Sequence, residues 1–242
     1  MVFGIATIFA HYTWIHSTSK TRSSSVMSPV AKDGESNSKG GGERSKGMGT
    51  TLVTTKVDNG RPISKPITTP IYHTSTYLVE SCESALDQSL NGYLYGRLGA
   101  PNAEEVETTM AAVEQGAGAV MFSSGMAAIS NTLLCFLQPG DHMVVASSLY
   151  SGTQTFITHY LTKFGVDVTF LDAVDDGIDA YARATKENTK MYYGETISNP
   201  MMKLLDLQEF GKLGGEKGIM TVVDSTFSTP INQVHVSLIS KS

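Results

Sequence analysis

The pattern that most limits the possible folds is an alternation running from residue 119 to residue 224. Short apolar runs, AVMF at 119–122, MVVA at 143–146, VDVTFL at 166–171, KMYY at 190–193 and IMTVV at 219–223, are separated by longer segments of helical periodicity. Those segments cover 126–136, 151–164, 178–184 and 205–213, with Gly214-Gly215 closing the last. Short buried strands alternating with helices predict an α/β fold, a mostly parallel sheet with helices on both faces. Ligands of such sheets bind beyond the carboxyl ends of the strands. That rule selects 124–126, 147–150, 195–199 and 224–226 as the rim of any site.

The stretch AVMFSSGMAAIS at 119–130 is central to that rim. It reads as a buried strand, a turn at Ser123, Ser124 and Gly125, and a helix that runs past Leu133 and Phe136. The first N–H groups of a helix lack intrahelical acceptors and point outward with the positive end of the helix dipole, which suits a phosphate. Gly125 lets an anion approach the backbone closely. An ordinary strand–turn–helix with nothing bound is the competing reading.

The other rim residues are ambiguous one by one. Asp224 ends an apolar strand, where a carboxylate needs a partner. It pairs with a cation on a ligand, holds a metal, or caps the next turn through Ser225 and Thr226. Tyr150 either stacks on a flat ring or packs in the core. Asn199, before Pro200, either hydrogen-bonds a ligand oxygen or forms a turn. Tyr95 and Arg97, in the glycine-rich loop at 91–101, either clamp a phosphate or are solvated surface. Together they offer a phosphate cradle, an aromatic face, an oxygen ligand and an anion for a ring nitrogen.

Upstream, residues 1–49 differ from the rest. A mixed apolar and aromatic start gives way to a Ser-, Gly- and Lys-rich stretch expected to be disordered. An unstructured extension is preferred over a secretory or transit signal. A short helix is expected near 49–57, an extended path through Pro62, Pro66 and Pro70, and a helix from Pro101 with Val106, Met110 and Val113 on one face. Gly116 and Gly118 are expected to end it. The net charge of −5 and the lack of a basic stripe speak against nucleic acid. The apolar start is too short to span a bilayer, so no membrane role is expected. Two cysteines form no disulfide framework and no metal site, which suits the reducing cytoplasm, and Cys135 is expected in the core.

Taken together and in order, these motifs resemble the pyridoxal-phosphate enzymes of cysteine and methionine metabolism, the cystathionine γ-lyase, methionine γ-lyase and cystathionine γ-synthase family. The resemblance runs from about residue 50 to Gln233. PIYHTSTY (70–77) is similar to the family's entry segment, and YGR (95–97) to its Tyr-x-Arg, which reaches the cofactor phosphate of a neighbouring subunit. SSGMAAI (123–129) is similar to the phosphate turn, and LYSGT (149–153) puts Tyr150 where the family stacks a tyrosine on the pyridine ring. ETISNP (195–200) puts Asn199 beside the ring hydroxyl, and VVDSTFSTP (222–230) puts Asp224 on the pyridine nitrogen. The resemblance thus implies the large domain of a fold-type I enzyme. It implies pyridoxal 5'-phosphate as cofactor, bound by Tyr95, Arg97, Ser124, Gly125, Met126, Tyr150, Asn199, Asp224 and Thr226. Tyr150 is the implied catalytic residue. The implied substrate is a sulfur amino acid, the implied assembly a homodimer or homotetramer, and the implied reaction elimination or replacement at the γ-carbon.

The resemblance also assigns a domain plan: an N-terminal extension at 1–49, an arm touching a neighbouring subunit at 50–100, part of the large domain at 101–233, and a divergent tail at 234–242. Three departures matter. Ala100-Pro101-Asn102 replaces the family's Asn-Pro-Thr, which is expected to alter the helix cap. Gly152 stands where methionine γ-lyases often carry a cysteine, which favours cystathionine-type substrates. Past Gln233 the pattern stops before the family's Ser-x-Thr-Lys segment with its cofactor-anchoring lysine, so these residues on their own are expected to be inactive. The rival expectations are a non-catalytic fragment that binds cofactor weakly or joins full-length subunits, and a γ-synthase type of replacement. A dinucleotide fold is disfavoured, because no Gly-x-Gly-x-x-Gly follows the first strand.

Overall fold

The computed structural model describes residues 8–10, 47, 67–171 and 177–233. The helix expected near 49–57, the tail at 234–242 and most of 1–49 lie outside the described residues. The chain divides into two compact units, one of Met1–Ser24 with Phe122–Ser242, the other of Ser25–Met121. The helix starting at Pro101 therefore groups with the residues before it, not with the sheet.

In chain order the elements are β1 (Ile8–Ala10), α1 (Cys82–Asn91), α2 (Pro101–Glu114), α3 (Gly125–Phe136), β2 (His142–Val145) and α4 (Ser151–His159). A 3-10 turn at Leu161–Phe164 follows, then β3 (Asp167–Phe170), α5 (Ile178–Ala184), β4 (Thr189–Glu195), α6 (Leu207–Lys217), β5 (Met220–Asp224) and α7 (Thr229–Asn232). The strands form one sheet in the order β1-β5-β4-β2-β3. β5, β4, β2 and β3 are parallel, and β1 runs antiparallel along the β5 edge. That short pairing falls inside the stretch read from sequence as an unstructured extension.

Burial on both faces explains why the strand sequences are continuously apolar. Met143, Val145, Met191, Tyr193 and Val222 point into one core with Ile129, Leu133 and Ile157 from α3 and α4. Their neighbours Val144, Tyr192 and Val223 point the other way, against Tyr181 of α5 and Leu207, Phe210 and Leu213 of α6. The period of two along each strand thus feeds two separate helix layers. At the opposite end from the rim, His142 is fully buried with its imidazole between Thr189 Oγ1 at 2.7 Å and Thr169 Oγ1 at 2.9 Å. Burial, then the Lys186 ammonium, hold this imidazole below its ordinary pKa, with Asp167 opposing.

Helix ends follow local chemistry. The Asp206 side chain caps α6 by accepting from the N–H groups of Gln208 and Glu209, both at 3.1 Å. α6 does not stop at Gly214-Gly215 but runs on to a left-handed Gly218. Gly214 serves packing instead: a Cβ there would lie 2.5 Å from Thr221 Cγ2. Cys135 is exposed rather than core, because α3 turns only Ala128, Ile129 and Leu133 inward.

In the second unit, α1 was not anticipated. It is nucleated by a capping box in which Ser81 and Ser84 exchange side-chain to backbone bonds. α2 has Pro101 in its first turn and no side-chain cap from Ala100, and it ends on a left-handed Gln115 just before Gly116. Asn102 reaches the entry segment: its Oδ1 accepts from Tyr72 N–H at 2.8 Å and its Nδ2 donates to the Pro70 carbonyl at 2.9 Å. The strand expected at 119–122 does not form. Val120 is exposed, and Met121 N–H donates to Glu107 Oε1 at 2.8 Å rather than to a ladder. A four-residue apolar run does not specify a strand without a neighbour to pair with.

Candidate active site

The chain reverses its direction across the sheet between β2 and β4. From β2 it moves outward to β3, then returns past β2 to β4 and β5. The segments after β2 and β4 lead to helices on opposite faces, which opens a crevice at the carboxyl ends of these strands. A cavity of about 360 Å³ lies at this rim within the first unit. Its lining includes Ser124, Gly125, Met126, Tyr150, Glu195, Asn199, Asp224 and Thr226. Seven of the residues picked out from the sequence therefore meet in one place. Tyr95 and Arg97 belong to the second unit, where the Arg97 guanidinium lies 5.2 Å from the centroid of the Tyr95 ring.

Each lining residue is placed by its element. Ser124 caps α3, its Oγ accepting from Ala127 N–H at 3.1 Å. The N–H groups of Gly125 and Met126 find no acceptor among the described residues and stand at the positive end of a 12-residue helix. Asp224 closes β5 with only 7% of its surface exposed. Its Oδ1 accepts from both Thr226 N–H (2.9 Å) and Thr226 Oγ1 (2.6 Å). Its other oxygen takes no hydrogen bond among the described residues. The capping and ligand-binding readings of Asp224 are therefore compatible, since one oxygen caps the turn while the residue also lines the cavity. Tyr150 is 43% exposed, so its ring is a cavity wall and not core.

Glu195 is the residue that the sequence reading placed on the rim but assigned no role. It ends β4, opposite Asp224 in the parallel register, and is 6% exposed. Its Oε1 accepts from Tyr150 N–H at 2.7 Å and its Oε2 from Asn199 N–H at 2.9 Å. Burial raises its pKa above the ordinary carboxylate value and the nearby Asp224 adds to this, while the two backbone N–H groups pull it down. Its signal in the sequence was the acid at the end of an apolar strand, the same signal that marked Asp224.

The lining suits a flat, phosphorylated heteroaromatic ring. A pair of unengaged N–H groups at a helix start fits a phosphate, an exposed phenol ring fits an aromatic face, and a half-engaged buried carboxylate fits a protonated ring nitrogen. The volume is that of a small-ligand site. Among the described residues no group of three or more His, Cys, Asp or Glu is arranged to hold a metal, and no helix is long and apolar enough to cross a membrane.

The fold is that of the fold-type I pyridoxal-phosphate enzymes. Residues 49–238 match the profile of the Cys/Met metabolism PLP-dependent enzymes, and the chain belongs to that family. It is 39% identical over 198 residues to an L-methionine gamma-lyase of Fusobacterium nucleatum subsp. polymorphum, covering 79% of this chain and 49% of the relative. It is 40% identical over 178 residues to the cystathionine beta-lyase MetC of Bacillus subtilis (strain 168), covering 74% and 43%. The crystal structure of metB from Corynebacterium glutamicum superposes with a TM-score of 0.72 at 32% identity, over 80% of this chain and 49% of that one. The chain spans about half the length of the curated relatives it matches. The cofactor in the family's name, pyridoxal phosphate, is a flat, phosphorylated heteroaromatic ring, the kind of ligand this lining suits.

Proposed function

We propose that the chain is the cofactor-binding part of a transsulfuration enzyme that acts at the γ-carbon of a sulfur amino acid, of the cystathionine or methionine γ-lyase type. The observation that carries this reading is the convergence of the Gly125–Met126 N–H groups, Tyr150, Asn199 and Asp224 on one crevice. The similarity to a protein named L-methionine gamma-lyase supports the position of bond cleavage.

Pyridoxal phosphate, when bound, supplies an electron sink that acidifies the carbons of an attached amino acid. The residues here have distinct tasks. The N–H groups of Gly125 and Met126, with Ser124 and the α3 dipole, would hold the phosphate. Asp224 would accept a hydrogen bond from the ring nitrogen and keep it protonated, which would strengthen the sink. Thr226 fixes Asp224 through its other oxygen. The Asn199 amide would donate to the ring oxygen. Tyr150, whose exposed ring lines the cavity, would cover one ring face, and its hydroxyl would serve as a proton-handling group. Tyr95 and Arg97 are assigned to the phosphate of a second subunit, which makes the working assembly at least a homodimer. Cys82 and Cys135 are both free, in keeping with the cytoplasm.

The test is turnover by the natural polypeptide that carries these residues, supplied with pyridoxal phosphate. Release of 2-oxobutanoate from L-methionine or L-cystathionine is the expected result. Pyruvate as the product from cystathionine moves the cleavage to the β-carbon and overturns the γ assignment.

A further inference from the structure

Buried carboxylates need a reason, and Asp224 has one in lining the cavity. Glu195 is different, because both of its oxygens are already occupied by backbone N–H groups. Those donors sit on different segments. Tyr150 lies at the end of the segment after β2, as the N-cap residue of α4. Asn199 lies in the turn after β4, which itself leads on towards α6 on the other face of the sheet. β2 and β4 are neighbours, and the crevice opens between the segments that leave them. One carboxylate thus bridges the two segments that leave these neighbouring strands.

We propose that Glu195 is a positioning residue of the cofactor site, a bidentate acceptor that fixes the distance between the Tyr150 and Asn199 backbones. This inference rests on the cofactor reading above. The two residues it holds are those whose side chains meet the ring face and the ring oxygen, whereas the phosphate turn at Ser124–Met126 receives no bond from it. An acid is required by the geometry. Only a carboxylate offers two acceptor oxygens and no donor, and two converging N–H groups leave no room for an amide's NH2. An apolar side chain would strand both N–H groups in a part-buried setting. The residue's cost, a second buried carboxylate in register with Asp224, is offset by these two charge-assisted bonds.

The test compares wild type, Glu195→Gln and Glu195→Asp in the full chain. Glutamine keeps one acceptor and turns its NH2 against the other N–H. Aspartate keeps both acceptors but is one methylene too short to reach both. Three readouts are taken: the dissociation constant for pyridoxal phosphate, the circular dichroism induced in the bound cofactor, and competition by inorganic phosphate. The expected result is cofactor affinity weaker by about tenfold in Glu195→Gln, an altered induced signal, and an unchanged constant for inorganic phosphate. Glu195→Asp is expected to fall between the two. Faster amide exchange at Tyr150 or Asn199 in the cofactor-free variants is the accompanying sign. The inference is overturned by variants that bind pyridoxal phosphate with wild-type affinity and signal. It is equally overturned if affinity for the cofactor and for inorganic phosphate falls in step with thermal stability, which marks a general structural role. A wild-type chain that takes up no pyridoxal phosphate refutes the cofactor reading itself, and this inference with it.

Discussion

Gly152 sits in the first turn of α4, directly beneath the Tyr150 ring. A Cβ at this position would lie 2.5 Å from Tyr150 Cε1, 3.0 Å from Cζ and 3.2 Å from Met126 Sδ. To restore ordinary contact at 3.4 Å the ring must retreat by about 0.9 Å. Tyr150 is 43% exposed, so the ring can swing without disturbing the core, and the fold bears little of the strain. Alanine also favours a helix over glycine by about 1 kcal/mol. Gly152→Ala is therefore expected to leave thermal stability unchanged or slightly raised. Cofactor binding is expected to suffer, because the ring leaves the cavity wall where it is proposed to stack on the cofactor. An aromatic stacking pair contributes about 0.5–1.5 kcal/mol, so the dissociation constant for pyridoxal phosphate should rise roughly two- to tenfold. A fluorescence titration with pyridoxal phosphate and a melting curve on the same sample measure both quantities. The reasoning is refuted if Gly152→Ala binds the cofactor as tightly as wild type, or if it binds less tightly only because it has lost stability.

Two further predictions concern the scaffold. His142 has a folded-state pKa below its ordinary value, so the unfolded chain takes up the proton first. The stability it contributes is full above about pH 6.5 and is lost as pH falls through the lowered folded value. Urea unfolding between about pH 7.5 and about pH 5.5 should show a steeper loss in wild type than in His142→Gln; equal slopes would refute it. In α6, Gly214→Ala brings a Cβ within 2.5 Å of Thr221 Cγ2 and 2.9 Å of the Ile219 carbonyl, and should destabilise by about 1–3 kcal/mol. Gly215→Ala meets open space and should stabilise by about 0.5–1 kcal/mol, so melting temperatures that move together would contradict the packing account.

The sheet was legible because its strands are buried on both faces and its helices are amphipathic, two periods that differ enough to be separated by eye. Residues such as Val144 and Val145 feed opposite cores, and a continuous apolar run is the only sequence that can do so. The rim was legible through a rule of topology, which brought Gly125, Tyr150, Asn199 and Asp224 into one crevice before any family likeness was used. Other features depend on contacts that sequence does not display. The AVMF run at 119–122 has strand composition but no strand to pair with. Cys135 has apolar neighbours in sequence, yet the helix turns it outward. Gly214 reads as a helix stop, while in space it is a gap for Thr221. Glu195 was visible as an acid ending a strand, but its partner at Tyr150 is 45 residues away. The strand at Ile8–Ala10 is short and pairs with β5, far along the chain, so no local pattern announces it.

The central claim is that the crevice between β2, β4 and β5 holds pyridoxal phosphate in one orientation. A crystal structure of the protein grown with the cofactor tests it most directly. The account predicts the phosphate on the N–H groups of Gly125 and Met126, the ring against Tyr150, and the pyridine nitrogen within hydrogen-bond distance of the Asp224 oxygen that Thr226 leaves open. A cofactor bound at another place, or one in this crevice with its phosphate towards Asp224, would contradict it.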